Sequence, residues 1–308
     1  MRRISNFVNL MRPYQWVKNV FVFVPLIFSK NLLDPPLFFK ALLTSFAFCL
    51  AASAVYVVND IADKEFDRLH PFKRNRPIAS GAVASGEGWA LSLFLLLMST
   101  LLLVLTGSEI ATGLVIAGYI ALNLLYSFRL KRLVLIDLFV IAIGFILRIM
   151  AGGYAVDVKV SSWLIMTTLF ISIFLGVAKR RSEFVLAGKG VEESTRTVLA
   201  DYDITLIDQI LSVSAASVII AYALYTVSER TVRAFHSEAL IFTTVFVTYG
   251  IFRYLYLVHK MGLGENPTKA LLTDKPMVIN SFLYVLSVIA ILYKLELIRL
   301  INRYVPIS

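Results

Sequence analysis

The sequence predicts an all-α, polytopic membrane helical bundle with about nine transmembrane helices. Hydrophobic residues make up 58% of the 308 residues and charged residues only 16%, whereas about a quarter of the residues in a soluble domain are charged. The mean hydropathy is +0.78. Because so few polar side chains cannot cover the surface, we expect lipid to solvate much of it. Several apolar runs also reach the length of roughly 18 residues that marks a membrane span.

Hydropathy predicts nine spans in succession, and no soluble domain or low-complexity tract separates them. The first span follows a basic N-terminus without a small-residue cleavage pattern, so we interpret it as an uncleaved membrane helix. The first and sixth spans are short, and we expect loop residues to extend them. The sequence therefore predicts one integral-membrane domain over residues 1–308. The nine spans are Val17–Phe28, Leu37–Val58, Trp89–Leu105, Ile110–Phe128, Leu133–Tyr154, Trp163–Val177, Ile210–Val227, Leu240–Val258 and Met277–Tyr293.

The distribution of positive charge predicts the orientation in the membrane. With the N-terminus placed in the cytoplasm, 20 of the 30 Lys and Arg residues lie in cytoplasmic segments, in agreement with the positive-inside rule. We therefore expect a multi-pass protein of the cell inner membrane with a cytoplasmic N-terminus and an active site on that side. Topology and anionic ligands explain the net charge of +10. The basic loops lack a series of aromatic stacking residues, so we expect no nucleic acid partner.

Three aspartates follow the second span. Asp60, Asp63 and Asp67 are spaced i, i+3 and i+7, so a continuing helix would present them on one face, with Asn59 beside Asp63. Carboxylates close together repel one another unless a cation neutralises them. Oxygen ligands of this kind select Mg²⁺ or a similar ion such as Mn²⁺. The alternative is a solvated helix end whose neighbouring Lys and Arg side chains pair with the acids.

A basic segment that contains Lys73, Arg74 and Arg76 follows the aspartates. A metal-bridged polyphosphate needs metal ions on one side and direct charge pairing on the other, so we expect Lys73 and Arg76 to bind phosphate oxygens. For these side chains alone, positive-inside anchoring is an equal alternative. The acidic and basic parts together favour a magnesium–diphosphate site.

These residues resemble the first signature motif of the UbiA superfamily of intramembrane prenyltransferases. The motif reads Asn-Asp-x-x-Asp-x-x-x-Asp over 59–67 and Arg-Pro-Ile-x-x-Gly over 76–81, and the resemblance extends over essentially the whole chain. It implies a helical bundle that encloses a cavity open laterally to lipid, in which Mg²⁺ holds a diphosphate. The implied metal ligands are Asn59, Asp60, Asp63 and Asp67, of which the three aspartates are catalytic.

The superfamily's second aspartate motif follows the sixth span and binds a second Mg²⁺ in members that transfer prenyl groups onto aromatic acceptors. Here Lys179, Arg180 and Arg181 stand in its place. Three adjacent cations favour direct binding of a phosphate. This departure is similar to the branch of decaprenyl-phosphate phosphoribosyltransferases, and the segments Arg12–Asn19 and Gly144–Arg148 resemble that branch as well.

That branch transfers 5-phosphoribose from phosphoribosyl diphosphate (PRPP) to a polyprenyl phosphate and releases pyrophosphate. The resemblance implies that the acidic motif holds the diphosphate of PRPP, while the basic residues bind the lipid phosphate or the ribose 5-phosphate; the sequence leaves open which. Membrane lipid surrounds the polyprenyl tail, and the oligomeric state is left open. The candidate substrate-binding residues are Lys18, Asn59, Lys73, Arg76, Tyr126, Arg148, Lys179, Arg180 and Glu183.

Two of these candidates have an alternative interpretation. Arg148 lies within an apolar run, where an unpaired charge costs a few kcal/mol, and it is interpreted equally well as the ion-pair partner of Asp137. Tyr126 is either a ligand of a phosphate or an aromatic side chain of the membrane interface. Two alternatives also concern the whole chain. One is a prenyltransferase that acts on an aromatic or other acceptor, and the other is a transporter or channel, whose polar residues would lie near the bilayer midplane.

Overall fold

The computed structural model describes residues 2–70, 73–107, 110–130, 133–188, 202–261, 264 and 273–294, and these residues form helices and turns without a β-strand. Segments of 3₁₀ helix lie at Pro13–Phe23, Lys73–Asn75 and Ala239–Thr243. The α-helices, labelled α1 to α12 in order, are Arg2–Met11, Val24–Phe28, Pro35–Ala62, Lys64–Leu69, Ser85–Leu105, Ile110–Phe128, Ile136–Ala155, Ser162–Gly188, Ile204–Val227, Glu229–Phe235, Thr244–Met261 and Lys275–Leu292.

Eight helices of the described residues are long and apolar enough to cross a membrane, and they correspond to the second to ninth predicted spans. The multi-pass helical fold is therefore confirmed. The first predicted span, Val17–Phe28, is different, because a 3₁₀ segment ends at Phe23 and α2 continues for only five residues. Pro25 at the start of α2 has no N–H to donate, so a regular α-helix cannot run through this point.

The chain divides into two compact units, Met1–Val160 and Ser161–Ser308. In the first unit, α3 is the central helix and packs against α5, α6, α7 and the 3₁₀ helix Pro13–Phe23, called the 3₁₀ segment below. Its spanning stretch is 67% buried, compared with 22% for α5 and for α6. The side chain of Asp34 caps its first turn by accepting a hydrogen bond from the Leu37 N–H at 3.1 Å, and Pro35 supplies a preset first residue.

In the second unit, α8 pairs with α9, and α11 packs against α9 and α12. Arg253 of α11 donates two hydrogen bonds to the Asp274 carboxylate, at 3.0 and 2.8 Å. These bonds lower the pKa of Asp274. Asp274 also caps α12 by accepting from the Met277 N–H at 3.0 Å. A structural pair therefore explains Arg253, although it lies within an apolar span.

Candidate functional site

Two buried aspartates at the end of α3 share one guanidinium group. Asp60 lies in the last turn of α3 and Asp67 in α4, with exposures of 3% and 4%. Nη1 of Arg76 donates to Oδ1 of Asp60 at 3.2 Å and to Oδ2 of Asp67 at 2.7 Å. Nη2 of Arg12 donates to the same oxygen of Asp60 at 2.5 Å. These four residues, called the Asp60 cluster below, come from four successive segments of the first unit.

The backbone changes at Asp63, between the two buried aspartates. The expectation of one helix through Asp67 is wrong, because α3 ends at Ala62 and α4 begins at Lys64. The break is small, since the N–H of Asp63 still donates to the Asn59 carbonyl at 2.9 Å and that of Asp67 to the Asp63 carbonyl at 2.8 Å. Asp63 is half-buried at this junction. The spacing of the motif therefore still brings Asp60 and Asp67 to one place.

The Asp60 cluster contains carboxylate oxygens, the type of ligand that Mg²⁺ prefers. Among the described residues, no three Asp, Glu, His or Cys side chains converge well enough to hold a metal ion by themselves. Mg²⁺ does not require such a cage, because it is usually bound through one or two carboxylates, waters and substrate phosphates. Two carboxylate oxygens already bracket a positive group, Nη1 of Arg76. Asp60 and Asp67 therefore fit the ion as ligands that act together with a substrate.

Asn59 and Tyr126 lie at the ends of two neighbouring helices, α3 and α6. A hydrogen bond joins the hydroxyl of Ser127 to the side-chain oxygen of Asn59. That bond fixes the Asn59 amide in the turn that carries Asp60. Tyr126, next to Ser127, is half-buried. The contact between α3 and α6 was not apparent from the motif, because Ser127 lies 68 residues after Asn59 in the sequence.

The N-terminal segment, residues 2–23, packs against α3 and α7 and places Arg12 at the Asp60 cluster. Nε1 of Trp16 donates to Oγ of Ser53 at 3.0 Å, and that hydroxyl donates to the Met11 carbonyl at 2.8 Å. Arg12 itself has a left-handed backbone, with φ 52° and ψ 59°. Lys18 lies half-buried on the 3₁₀ segment. The sequence motif included Arg12, but nothing in its spacing indicated contact with Asp60.

Lys73 begins the short 3₁₀ turn after α4, where it is half-buried. The preceding Pro71 lies outside the described residues. Three residues later, Arg76 leaves that turn and reaches back to Asp60 and Asp67. Arg76 therefore lies beside the aspartates that precede it in the sequence. In this structure its guanidinium contacts the carboxylates themselves.

Arg148 is buried in the interior of the first unit, with 4% exposure. Its guanidinium donates to Asn19 Oδ1 at 2.8 Å, to the Gly144 carbonyl at 2.7 Å and to Tyr119 Oη at 3.1 Å. The aromatic rings of Phe48, Tyr119 and Phe145 surround it at about 5 Å. Asp137 is not among its partners, so the ion-pair interpretation is wrong. These contacts favour a packing role that holds the N-terminal segment against α7.

In the second unit, the residues Lys179, Arg180, Arg181 and Glu183 form what we call the basic motif, near the C-terminal end of α8. Arg180 is 4% exposed and forms an ion pair with Glu183 in the same helical turn. Nζ of Lys179 lies 3.8 Å from the same carboxylate, and Lys179 is exposed.

Two residues outside the basic motif, Asp208 and Gly264, pack against this part of α8. Nε of Arg181 donates to Oδ1 of Asp208 on α9 at 2.6 Å. A Cβ atom at Gly264 would lie 2.4 Å from Ser182 Oγ and 2.7 Å from the Ala178 carbonyl. A side chain larger than that of glycine therefore does not fit at Gly264 without a shift of the structure. Sequence reasoning missed this contact, because a single glycine does not indicate which distant residues it will contact.

A sequence model of the UbiA prenyltransferase family matches residues 20–282. The decaprenyl-phosphate phosphoribosyltransferase of Corynebacterium glutamicum is 33% identical over 296 residues, which cover 93% of this chain and 86% of that protein. The protein of the same name from Mycolicibacterium smegmatis is 30% identical over 300 residues, or 94% of this chain and 93% of that protein.

A solved structure has the same fold. The UbiA homolog from Archaeoglobus fulgidus bound to GPP and Mg²⁺ aligns with a TM-score of 0.69 and 17% identity, over 93% of this chain and 99% of that chain. The family match covers most of the chain, and the two curated relatives align over nearly all of it. The protein is therefore a member of the UbiA prenyltransferase family.

Proposed function

We propose that this protein transfers 5-phosphoribose from PRPP to a polyprenyl phosphate and releases pyrophosphate. The observation that carries the proposal is the presence of the basic motif in the second unit, where a prenyl-diphosphate enzyme of this family is expected to carry aspartates. The two curated relatives named above, which align over most of the chain, are decaprenyl-phosphate phosphoribosyltransferases. We place the reaction at the cytoplasmic face of the cell inner membrane, with the N-terminus in the cytoplasm.

Asp60 and Asp67 are the proposed protein ligands of Mg²⁺, assisted by Asn59 and Asp63. When bound, the ion withdraws charge from the pyrophosphate leaving group. The position of both aspartates supports this assignment, because their buried carboxylates lie close enough together to contact one cationic group, Nη1 of Arg76. Mn²⁺ has similar ligand preferences and is expected to substitute.

The basic residues position two anionic substrates. Lys179 and Arg180 are proposed to bind a phosphate monoester, either that of the lipid or the 5-phosphate of ribose. Glu183 orients them through its contacts with both side chains. Lys18, Lys73 and Tyr126 are further proposed phosphate ligands. For Arg148 we propose positioning of the N-terminal segment instead of substrate contact, because all three of its guanidinium nitrogens donate to protein atoms.

In the proposed reaction, an oxygen of the lipid phosphate attacks the anomeric carbon of PRPP. One C–O bond forms on one face as the C–O bond to pyrophosphate breaks on the other, so the product has inverted configuration at that carbon. The lipid phosphate is already an anion and needs no general base. The tasks left to the protein are to orient the two substrates and to screen their mutual repulsion.

A direct assay tests the proposal. The purified full chain is incubated in detergent or lipid with Mg²⁺, radiolabelled PRPP and a polyprenyl phosphate, and both pyrophosphate and labelled lipid are measured. We expect equal amounts of the two products, dependent on the divalent ion and abolished by chelation. Absence of pyrophosphate release with this substrate pair would contradict the proposal.

The second candidate is transfer of a prenyl group from its diphosphate to an acceptor. It is favoured by the two solved structures of the Archaeoglobus fulgidus homolog bound to GPP and to DMAPP with Mg²⁺. The same preparation is therefore incubated with a polyprenyl diphosphate and aromatic acceptors. Turnover with this pair and none with PRPP would establish the second candidate in place of the first.

A further inference from the structure

Two guanidinium groups donate to the same carboxylate oxygen in the Asp60 cluster. Oδ1 of Asp60 accepts from both Arg12 and Arg76, and Arg76 also bonds Asp67. The two carboxylates and the two guanidiniums balance in charge, as a buried group of ions requires. A divalent ion that binds Asp60 and Asp67 adds positive charge beside the two guanidiniums that these carboxylates now contact. The ion and both arginines therefore repel one another at the carboxylates unless an anion binds with the ion.

The side chain of Arg12 bonds one carboxylate, whereas that of Arg76 bonds two, so Arg12 gives up fewer bonds when it moves. Its carboxylate partner is buried, with 3% side-chain exposure, whereas Arg12 is 19% exposed. Within the described residues, its guanidinium forms an ion pair with Asp60 and lies over the ring of Tyr56, whose centroid is 5.3 Å from the guanidinium carbon. Its backbone is fixed by neighbouring contacts of Met11 and Trp16. An anchored backbone and a long side chain allow the charged group to move without unfolding the segment.

The backbone of Arg12 indicates that this placement is specific. Left-handed φ and ψ are unfavourable for a residue with a Cβ atom, and Arg12 adopts them at φ 52°. The residue begins the turn into the 3₁₀ segment that Pro13 opens. The local conformation is therefore unfavourable by itself, while it directs the guanidinium to the buried carboxylate.

Charge balance links the metal to the diphosphate. Addition of a divalent ion alone to the Asp60 cluster leaves two guanidiniums beside it without a partner, and like charges in a low-dielectric environment repel strongly. A diphosphate that arrives with the ion supplies anionic oxygens to which arginine binds with fork-shaped geometry. The most favourable exchange therefore moves the arginine side chains from carboxylate to diphosphate in the same event in which the carboxylates acquire the ion.

We propose that the guanidiniums of Arg12 and Arg76 pair with the aspartates when no metal is bound and move to the diphosphate when the metal binds. The ion and the diphosphate therefore bind together. The proposal rests on the proposed function for the identity of the diphosphate. It assigns Arg12 a positioning role toward the carboxylates and a binding role toward the substrate. Its distinguishing consequence is that loss of the Arg12 charge has opposite effects on metal alone and on metal with diphosphate.

The test measures binding of Mn²⁺ to the full chain in detergent by electron paramagnetic resonance, without and with inorganic pyrophosphate. We expect wild-type protein to bind Mn²⁺ weakly alone and more tightly with pyrophosphate. In Arg12→Gln, affinity for Mn²⁺ alone should rise, because a competing cation is gone. Affinity for the Mn²⁺–pyrophosphate pair should fall by about tenfold or more, since a hydrogen bond between charged groups is lost.

Two further variants complete the design. Arg12→Lys retains the charge without the fork and should leave the affinity for Mn²⁺ alone near the wild-type value; it carries the test if Arg12→Gln does not fold, as judged by size exclusion and thermal unfolding. Arg3→Gln is the matched control, because Arg3 lies on α1, is exposed, and pairs with Glu87 away from the Asp60 cluster. It should leave both affinities unchanged.

The outcomes separate this inference from the proposed function. If wild-type protein binds Mn²⁺ with pyrophosphate and Arg12→Gln changes neither affinity, or lowers both, the exchange is overturned and Arg12 is a structural ion pair. Wild-type protein that binds Mn²⁺ equally well with and without pyrophosphate also overturns the coupling, while it leaves the metal assignment intact. If wild-type protein binds no Mn²⁺ under either condition, the proposed metal site fails together with the inference.

Discussion

The Asp60 cluster and the basic motif have opposite polarity. In the cluster the acids are buried, with side-chain exposures of 3% for Asp60 and 6% for Asp67, and the partner arginines are more exposed. In the basic motif the cation is buried, because Arg180 is 4% exposed and its partner Glu183 is 18% exposed. This difference in burial agrees with the proposal that the cluster binds a cation and the motif an anion.

The two sites also differ in how the chain assembles them. Arg12, Asp60 and Arg76 come from separate segments, whereas Lys179, Arg180 and Glu183 lie within one and a half turns of α8. A helix positions its i,i+3 and i,i+4 neighbours by itself. The Asp60 cluster depends instead on tertiary packing of the first unit. It should accordingly be the more sensitive of the two to substitutions at a distance.

The largest effect is expected from Asp60→Asn. The change removes a buried carboxylate on which two arginines and the proposed metal converge, and metal ions contribute several kcal/mol to catalysis of this type. We expect the rate of pyrophosphate release from PRPP to fall by about 1,000-fold or more. Stimulation by added Mg²⁺ should be lost as well, while the protein still purifies from the membrane fraction.

The control for this variant is Asp34→Asn, the same substitution at the other end of the same helix. Asp34 caps α3, and Asn caps a helix about as well as Asp does. We expect near wild-type activity from it. Full activity in Asp60→Asn would remove the proposed metal ligand and, with it, the polarity assigned to this site.

A smaller effect is expected from Arg180→Gln in the basic motif. A hydrogen bond to a charged group contributes about 1.5–3 kcal/mol, which corresponds to a fall of about 10- to 100-fold in kcat/KM. The loss should appear for one of the two substrates when the concentration of each is varied in turn. The dependence on Mg²⁺ should remain, because the Asp60 cluster is intact. That combination would also show which phosphate the motif binds.

Arg233→Gln in the same unit is the corresponding control. Arg233 pairs with Glu229 at i,i+4, and both side chains are about 80% exposed; such surface pairs contribute little. If Arg180→Gln lowers thermal stability but leaves the kinetic constants of both substrates unchanged, Arg180 is only the structural partner of Glu183. The contrast between an acidic and a basic substrate site would then not hold.

The sequence predicted those parts of the molecule that depend on local pattern. Apolar runs identified the eight long helices, and the aspartate spacing brought Asp60 and Asp67 together despite the helix break at Asp63. Local pattern also predicted a first spanning helix, and there the structure has a 3₁₀ helix over Pro13–Phe23 followed by the short α2. Hydropathy counts apolar residues and does not register the hydrogen bonds that proline removes.

Contacts between distant segments were not predictable in the same way. The pairing of Arg12 with Asp60 and of Ser127 with Asn59 joins residues far apart in sequence. Arg148 was expected to bind a substrate or Asp137, yet it is held by Asn19, a carbonyl group and aromatic rings. A buried guanidinium requires hydrogen-bond acceptors, but the sequence alone does not say which segment provides them.

The smallest effect is expected from Gly152→Ala on α7. This variant tests whether the Asp60 cluster depends on tertiary packing of the first unit more than the basic motif does. A Cβ atom at Gly152 would lie 1.9 Å from the carbonyl oxygen of Val22, so the 3₁₀ segment must shift outward. Such overpacking costs about 1–3 kcal/mol, and we expect a lower thermal unfolding temperature. Hydrogen exchange should accelerate in the amides of 11–22 and not in those of α8, and binding of the Mn²⁺–pyrophosphate pair should weaken.

Gly118→Ala on α6 is the matched control, because a Cβ atom at Gly118 meets no atom within 4 Å. Alanine is the better helix former, so this variant should be neutral or slightly more stable. If Gly152→Ala behaves like Gly118→Ala, the N-terminal segment tolerates displacement without consequence for Asp60. If instead the exchange of α8 amides accelerates together with that of 11–22, the two sites share their packing. Dependence of the Asp60 cluster on the packing of the N-terminal segment is supported only if the damage stays in the first unit and binding of the Mn²⁺–pyrophosphate pair weakens.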